Sequence, residues 1–464
     1  TGRVDVWHPR LEWLSREGIS ARRRRLLPST EKETQMIAAE IERCAGVDVG
    51  KEQLAVHIMV GPLDGEPRCE FREFGTINAE LKRLRQWLEA EGVTHVVMES
   101  TGSYWKPVFN VLEEGFKVYL ANPHEVKNRK GHKTDKKDSW WLAHLLRHAM
   151  IRPSFVPPRA LRELRDLTRR RRKMIGIASG ERNRVDKILQ DANVKLSSVL
   201  SDLFGVSGQL MLEALLKGKA TAPEIAQFAQ RSAKRRIPEI IAALEGHRLT
   251  DHHRQMIRYS LEHLAFLEKQ LLELDKQIVA KIEALGYGGQ WQLLQTVPGV
   301  KENSAASILA EVGPDMGQFE SEKNLSSWAG VCPGNNRSAG KNKGSKTNKG
   351  NRWLRGALIE CAWGAAGRKN CFLKQKFWRL ATKKQRKPPA TMAIAHTLLV
   401  LCYQVLKTGR AYKEVGVPII DPQQRIRLIH HHVRRLGKLG IRVRAQALPQ
   451  APNAQRNNRA ESRA

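Results

Sequence analysis

The sequence predicts a mixed α/β domain followed by a mainly helical remainder, and three observations predict it. Between residues 44 and 150 short apolar runs alternate with stretches of helical period. Over 159–193 and 251–285 long helical patterns take over, the second with apolar steps of three and four throughout. After "YGGQWQ" a compact stretch runs from 291 to about 410. A chain of 464 residues is long enough for several cores of its own.

Taken in order, "CAGVDVGKEQLAVHIMV" predicts two strands joined by a tight turn, and "RCEFREFG" (68–75) a third. Residues 78–91 predict a helix opened by an Asn cap, with Leu81, Leu84 and Leu88 on one face. "VTHVVME" (93–99) reads as a buried strand, 103–114 as a helix, and "FKVYLAN" (116–122) as another strand. Residues 135–150 then form a helix with Trp141, Leu142 and Leu145 inward. Three strands followed by helix, strand, helix, strand, helix imply a mixed sheet flanked by helices.

The prolines of "RPSFVPPR" mark a boundary. Beyond it 159–193 is a long, very basic helix that carries Arg169, Arg170, Arg171, Arg172 and Lys173. The 251–285 helix, about 50 Å long at 1.5 Å per residue, has the seam of a helical hairpin or coiled coil. It is either a packing arm within the chain or a dimerisation arm. A helical segment, 205–248, lies between the two. The expected division is therefore 1–43, an extension; 44–155, the mixed sheet; 156–290, a basic linker and coiled-coil-like arm; 291–410, a second compact domain; and 411–464, a basic, partly disordered tail. Met36 directly precedes the patterned region, so residues 1–35 are expected to be a flexible or non-native extension.

Lys and Arg number 80 against 47 Asp and Glu, a formal net charge of +33. That excess favours a polyanionic partner, and nucleic acid first, because each neutralised phosphate releases a counterion. The most apolar run, 390–406, carries His396 and Gln404 and reads as a core helix. Six scattered cysteines without a CxxC pair argue against a zinc knuckle or a disulfide framework and for a reducing cytosol. The "HHH" at 430–432 is no metal site by spacing alone and suits a basic, nucleic-acid-facing surface.

Four acids stand out by position. Asp48 lies inside an apolar strand, where a carboxylate is costly unless paired or bound to a metal. Glu99 ends the strand "HVVME", and Asp135 and Asp138 stand three apart at a helix start. In open α/β sheets strand ends and helix starts meet at one edge, so the four can converge on Mg²⁺ or Mn²⁺ ions, which prefer hard oxygen ligands and clamp the oxygens of a phosphoryl transfer. Taken alone, Asp135 and Asp138 would equally well complement the helix dipole.

"GVDVGK", "VVMESTGSYW" and "HKTDKKDSWWLAHLL" resemble the RuvC-type ribonuclease-H fold and, more narrowly, the DEDD transposases of the insertion-sequence-110 type. The resemblance covers about 45–155 and resumes at about 291–405. It implies that Asp48, Glu99, Asp135 and Asp138 are a catalytic, metal-binding tetrad.

In the second half, "LLQTVPGVKENSAASILAEVG" (293–313) looks like a helix-hairpin-helix that aims backbone N–H groups at a phosphate, with a plain packing hairpin as the alternative. "NNRSAGKNKGSKTNKGNR" (335–352) follows. It fails as a Walker A loop, because five residues separate Gly334 from Gly340 and Lys341 is followed by Asn342. A basic phosphate-contacting loop explains its composition without assigning any one serine. The resemblance goes further and implies that Ser338 attacks DNA. Arg337, Lys341 and Arg352 would then offset charge in the transition state, and Lys343, Lys346 and Lys349 would hold the backbone.

The resemblance as a whole implies a bacterial, cytoplasmic, nucleoid-associated recombinase. It would act on donor and target DNA with Mg²⁺ (or Mn²⁺), through a phosphoserine intermediate. A structured guide RNA and a homodimer or dimer of dimers are its implied partners, with 251–285 as a plausible contact. Two alternatives remain open from the residues alone: a metal-dependent nuclease of the Holliday-junction type, and a non-catalytic nucleic-acid-binding protein.

Overall fold

The structure, a computed structural model, describes residues 38–100, 102–126, 134–151, 153–334, 336–338, 341–344, 346–414 and 422–441. The readings of residues 1–35 and of the far C-terminal tail lie outside these. The chain divides into two compact units, one ending at Val156 and one beginning at Pro157.

In the first unit, β1 (Arg43–Val49), β2 (Gln53–Val60), β3 (Arg68–Gly75), β4 (His95–Glu99) and β5 (Lys117–Ala121) form one sheet in the order β3-β2-β1-β4-β5. The β1–β2 and β2–β3 pairs are antiparallel, whereas β1–β4 and β4–β5 are parallel. The helices are α1 (Asn78–Ala90), α2 (Trp105–Leu112), α3 (Pro123–Val126) and α4 (Asp135–Arg147). Asn78 is not the cap of α1 as expected. It is the first helical residue, and Ile77 holds the cap position with no side-chain hydrogen bond.

Alternation along the strands sorts the core into two layers. Ala45, Val47, Val49, Val96, Met98 and Leu120 pack with α1 and α2 residues such as Leu84, Leu88, Val108 and Leu112. Cys44, Met59, Val97 and Ala121 pack on the other face with Leu142, Ala143 and Leu146 of α4. Covering both faces is what makes the central strands continuously apolar. At the C-terminal end of α4 the buried Arg147 guanidinium donates to the carbonyls of Ile41 (3.2 Å), Glu42 (3.2 Å), Gly61 (3.3 Å), Gly65 (3.4 Å) and Pro62. It fastens the entry to β1 and the β2–β3 loop to one helix end.

The second unit is built on α5 (Arg159–Asp191), which pairs with a second long helix, α10 (Asp251–Ala284). Between them come α6 (Leu196–Val199), α7 (Val206–Lys217), α8 (Ala222–Ala226), a 3₁₀ turn (Arg231–Arg236) and α9 (Ile237–Leu244), closed over their own core. The α10 seam of Ile257, Leu264, Leu267, Leu274, Ile278 and Ile282 is buried. It faces α5 of the same chain, so the packing-arm alternative accounts for the heptad pattern. A contact with a second copy would have to use another face. His263 with Glu181 (3.1 Å) and Lys281 with Glu163 (2.5 Å) lace the pair.

Next come α11 (Gly288–Gln295), α12 (Glu302–Val312), α13 (Glu322–Trp328), the hairpin strands β6 (Asn336–Ser338) and β7 (Lys341–Gly344), and then α14 (Arg352–Gly367), α15 (Phe372–Lys384), α16 (Lys387–Thr408) and α17 (Pro422–Lys438). Among the described residues α16 alone is long and apolar enough to cross a membrane, at 22 residues. It packs against α11, α13, α14 and α15 and buries Ile394, Leu398, Leu399 and Cys402, as a core helix does.

Candidate functional site

Val47 pairs with Met98 in the parallel β1–β4 ladder, and Asp48 and Glu99 are the next residues on each strand. In-register parallel neighbours face the same side of a sheet. Val47 and Met98 face α1 and α2, so Asp48 and Glu99 face the α4 side.

Gly46 brings α4 to that side. A Cβ at Gly46 would stand 2.2 Å from Ser139 O and 2.4 Å from Ala143 N, so only glycine lets the helix lie this close to the strand. Cys44, two residues earlier, donates from Sγ to Ala143 O at 3.5 Å, and its buried thiol is pushed up to about 12. Moving up β1 therefore means moving toward the start of α4. Two residues along β1 are about 6.6 Å, and Ser139 to Asp135 is about 6 Å along the helix. Asp48 and Glu99 thus rise to the level of the first turn of α4, where Asp135 and Asp138 stand behind the Thr134 cap. Asp48, Glu99 and Asp138 are half-buried and Asp135 is exposed.

The backbone brings the four acids to one edge of one face. Their side chains are not closed into a ligand set: among the described residues no three His, Cys, Asp or Glu side chains are grouped to hold a metal. The donor chemistry suits a hard divalent cation, because all four are carboxylates at a partly solvated edge. His57, opposite Gly46 on β2, is not one of the donors. Its Nδ1 lies 3.3 Å from Ser139 Oγ, whose hydroxyl donates to Lys136 O at 3.0 Å, so the ring nitrogen is the donor to the serine oxygen. Burial, helped by the Lys136 charge, holds His57 below its usual range.

In the second unit Ser338 is the last residue of β6, paired with Lys341 of β7. The sequence reading treated 335–352 as a loop. The hairpin went unseen because polar Asn, Lys and Gly residues show no alternation. Its neck is narrow. Pro333 bridges to Thr347, Gly334 N donates to Lys346 O at 2.9 Å, and Asn351 N donates to Trp328 O at 3.2 Å. At the crossing a Cβ on Gly350 would stand 2.4 Å from Gly330 N, and Gly330 itself has φ +71°. Ser345 lies outside the described residues, and Thr347 belongs to the neck.

Below the neck lies a group that sequence reasoning missed. Glu311 of α12 is 2% exposed and accepts both arms of the Arg169 guanidinium (2.7 and 2.8 Å) and a bond from Asn351 Nδ2 (2.7 Å). Arg165 adds bonds to the carbonyls of Ala310 (3.1 Å) and Glu311 (2.7 Å). Asn351 Oδ1 in turn caps α14, accepting from Trp353 N (3.0 Å) and Leu354 N (3.1 Å). A Glu deep in the apolar C-terminal half of the helix, in "ASILAEVG", was the available signal.

The basic run on α5 is divided in its work. Arg169 holds Glu311, Arg171 pairs with Asp275 (Nη2 to Oδ2, 3.1 Å) and Arg172 pairs with Glu360, while Arg170 and Lys173 are exposed. Lys346, Lys349 and Arg352 are exposed around the neck, and Arg337, Lys341 and Lys343 belong to the strands. The "VPGV" turn between α11 and α12 rests on α14, since a Cβ at Gly299 (φ +87°) would meet Cys361 O at 2.3 Å.

A mixed sheet in this order, followed in the chain by a largely helical unit, is the architecture of a RuvC-like domain joined to a helical one. Residues 45–194 match the family model for DEDD transposases of the IS110 type, and 291–379 match the "Transposase IS116/IS110/IS902 family". The two matches together span just over half of the chain, which belongs to this transposase family. It is also similar to the pilin gene-inverting proteins of Moraxella lacunata and Moraxella bovis. Each is 24% identical, over 346 and 344 residues respectively, covering 71% of this chain and 86% of the relative.

Proposed function

We propose that this transposase cuts and rejoins DNA through Ser338, with Asp48, Glu99, Asp135 and Asp138 holding Mg²⁺ or Mn²⁺. The observation that carries the proposal is the register that raises Asp48 and Glu99, on neighbouring parallel strands, to the first turn of α4. Such a carboxylate edge suits hard cations, which when bound would lower the charge on a phosphate and favour a serine alkoxide. Ser338 Oγ attacks phosphorus, one P–O ester bond to a deoxyribose breaks, and the sugar oxygen leaves with a proton. A phosphoserine diester remains. In the reverse sense a sugar hydroxyl of another strand attacks that diester, the Ser338 oxygen leaves, and the number of ester bonds is unchanged, so no nucleotide cofactor is consumed. Lys346, Lys349 and Arg352 at the neck, with Arg337, Lys341 and Lys343 in the strands, supply positive charge for the backbone.

The pilin gene-inverting relatives favour recombination over simple cleavage, since inversion requires rejoining. A structured guide RNA and a dimer or dimer of dimers complete the proposal. The net charge of +33 is compatible with both RNA and DNA.

The test compares Ser338→Ala with Asp48→Asn on strand exchange, and maps the protein–DNA adduct by mass spectrometry. Both variants should lose exchange, with the adduct on Ser338. Full exchange by Ser338→Ala would overturn the nucleophile, and full exchange by both variants would remove catalysis from these residues. Nuclease-sensitive RNA co-purifying with the protein tests the guide.

A further inference from the structure

Two tryptophans of the second unit stand in solvent beside one another's neighbours. Trp363 on α14 is 46% exposed and Trp378 on α15 is 47% exposed. Between them Phe377 is fully buried, 5.4 Å from the Trp363 ring and 5.3 Å, edge-on, from the Trp378 ring. One buried ring thus packs against both half-exposed rings.

That surface is cationic. Helix α15 carries five Lys or Arg residues and no acid. Lys376 is not part of the exposed set, because it is half-buried, donates to Thr397 Oγ1 at 2.8 Å and has its pKa pulled down by burial. Arg379, Lys383, Lys384, Arg386 and Lys387 are exposed, and the Lys387 ammonium lies 5.9 Å from the Trp378 ring centre. Glu414 accepts from Phe372 N at the start of the helix, and Glu360, one turn before Trp363 on α14, is paired with Arg172. Two half-exposed indoles held by one buried ring offer flat aromatic faces to a partner. Duplex DNA gives them no use, since paired bases present no free face. Unpaired bases do: they stack on aromatic rings while flanking cations follow the phosphates.

We infer that Trp363 and Trp378, with the cations of the α15–α16 corner, form a binding surface for unpaired nucleotides of single-stranded nucleic acid. The inference rests on the family's handling of nucleic acid and not on Ser338 chemistry. Ser338→Ala should therefore bind like the unaltered chain, and a wrong nucleophile would leave this surface standing.

The test is fluorescence anisotropy of the full-length protein with labelled oligo-dT, oligo-rU and a duplex, each of about 12 nucleotides or base pairs. Trp378→Ala should weaken single-strand binding roughly 5- to 150-fold, the cost of one lost stack, and leave duplex affinity within about twofold. Trp378→Phe should recover most of the loss, which a folding defect would not allow. K383Q/K384Q should weaken binding and reduce the single-strand salt slope by about 1.4. Equal loss on single strand and duplex, no loss on either, or a change in self-association in place of binding would each overturn the inference. The ratio of rU to dT affinity tells whether RNA or melted DNA is preferred.

Discussion

Asn351 Nδ2 donates to Glu311 Oε2 at 2.7 Å, and this bond fixes the base of the Ser338 hairpin to the basic helix α5. Asn351 serves three elements at once: its amide holds Glu311, its carbonyl oxygen caps α14, and its backbone N–H closes the neck on Trp328. Removing the carboxylate by Glu311→Ala leaves Arg165 and Arg169 without their shared anion and should cost about 3–5 kcal/mol. Asn351→Ala loses a cap and a bond, at about 1–2 kcal/mol. Asn351→Asp keeps a cap oxygen but sets a second carboxylate against Glu311. Urea unfolding orders the three. An Asn351→Ala chain of unchanged stability and strand exchange would remove the neck from the account.

The Gly330–Gly350 crossing leaves no room for a methyl group. Gly350→Ala should force the two strands of the neck apart, at about 1–3 kcal/mol, with helix content unchanged and strand exchange lost. Circular dichroism beside a recombination assay separates the two effects. Activity retained at the parent level would show that the neck tolerates displacement.

Gly46→Ala drives a Cβ into Ser139 O and the Ala143 backbone, so α4 must lift from β1. The expected outcome is lower stability of the first unit and a smaller Mg²⁺-induced rise in its melting temperature, because Asp135 and Asp138 move away from Asp48 and Glu99. Thermal melts with Mg²⁺ and with a chelator read both. An unchanged Mg²⁺ response would mean that the four acids do not act together.

Arg147→Met keeps volume but strands the carbonyls of Ile41, Glu42, Gly61, Pro62 and Gly65. Several lost charge-assisted bonds should cost about 3 kcal/mol or more. Hydrogen exchange should then open the β2–β3 loop and the segment entering β1 first. If exchange rises instead across the whole sheet, the residue acts on the core and not as a local fastening.

His57, His95 and His396 are all held below the usual imidazole range, mainly by burial. A depressed folded-state pKa means that the unfolded chain takes up protons first as pH falls. Their contribution is present above about pH 6.5 and is lost as pH falls through and below that value. Stability should therefore drop between about pH 7 and pH 5, and less so in His57→Gln than in the parent. Equal drops in the two chains would remove His57 from the pH response.

The two long helices, the order of strands and helices in the first unit, and the apolar α16 were legible because each rests on a period within one segment. Asp48 in an apolar strand and the Asp135/Asp138 pair at a helix start stood out in the sequence because they break the local pattern. Asn78 was misread by one residue because capping depends on backbone angles at the junction. The α10 seam was visible, but not that α5 of the same chain fills it. Glu311 was passed over because its partners lie 142 and 40 residues away.

The sequence by itself determined which segments are strands and helices, that the chain is strongly cationic, and which carboxylates break the apolar pattern. Periodicity and composition are local, and those features are too. Tertiary structure alone decided that β4 lies beside β1 in parallel register, that Gly46 lets α4 reach the same face, and that a buried glutamate holds the neck of the serine hairpin. Each depends on strand order or close approach between residues far apart in the chain, where packing and hydrogen-bond satisfaction choose the partner.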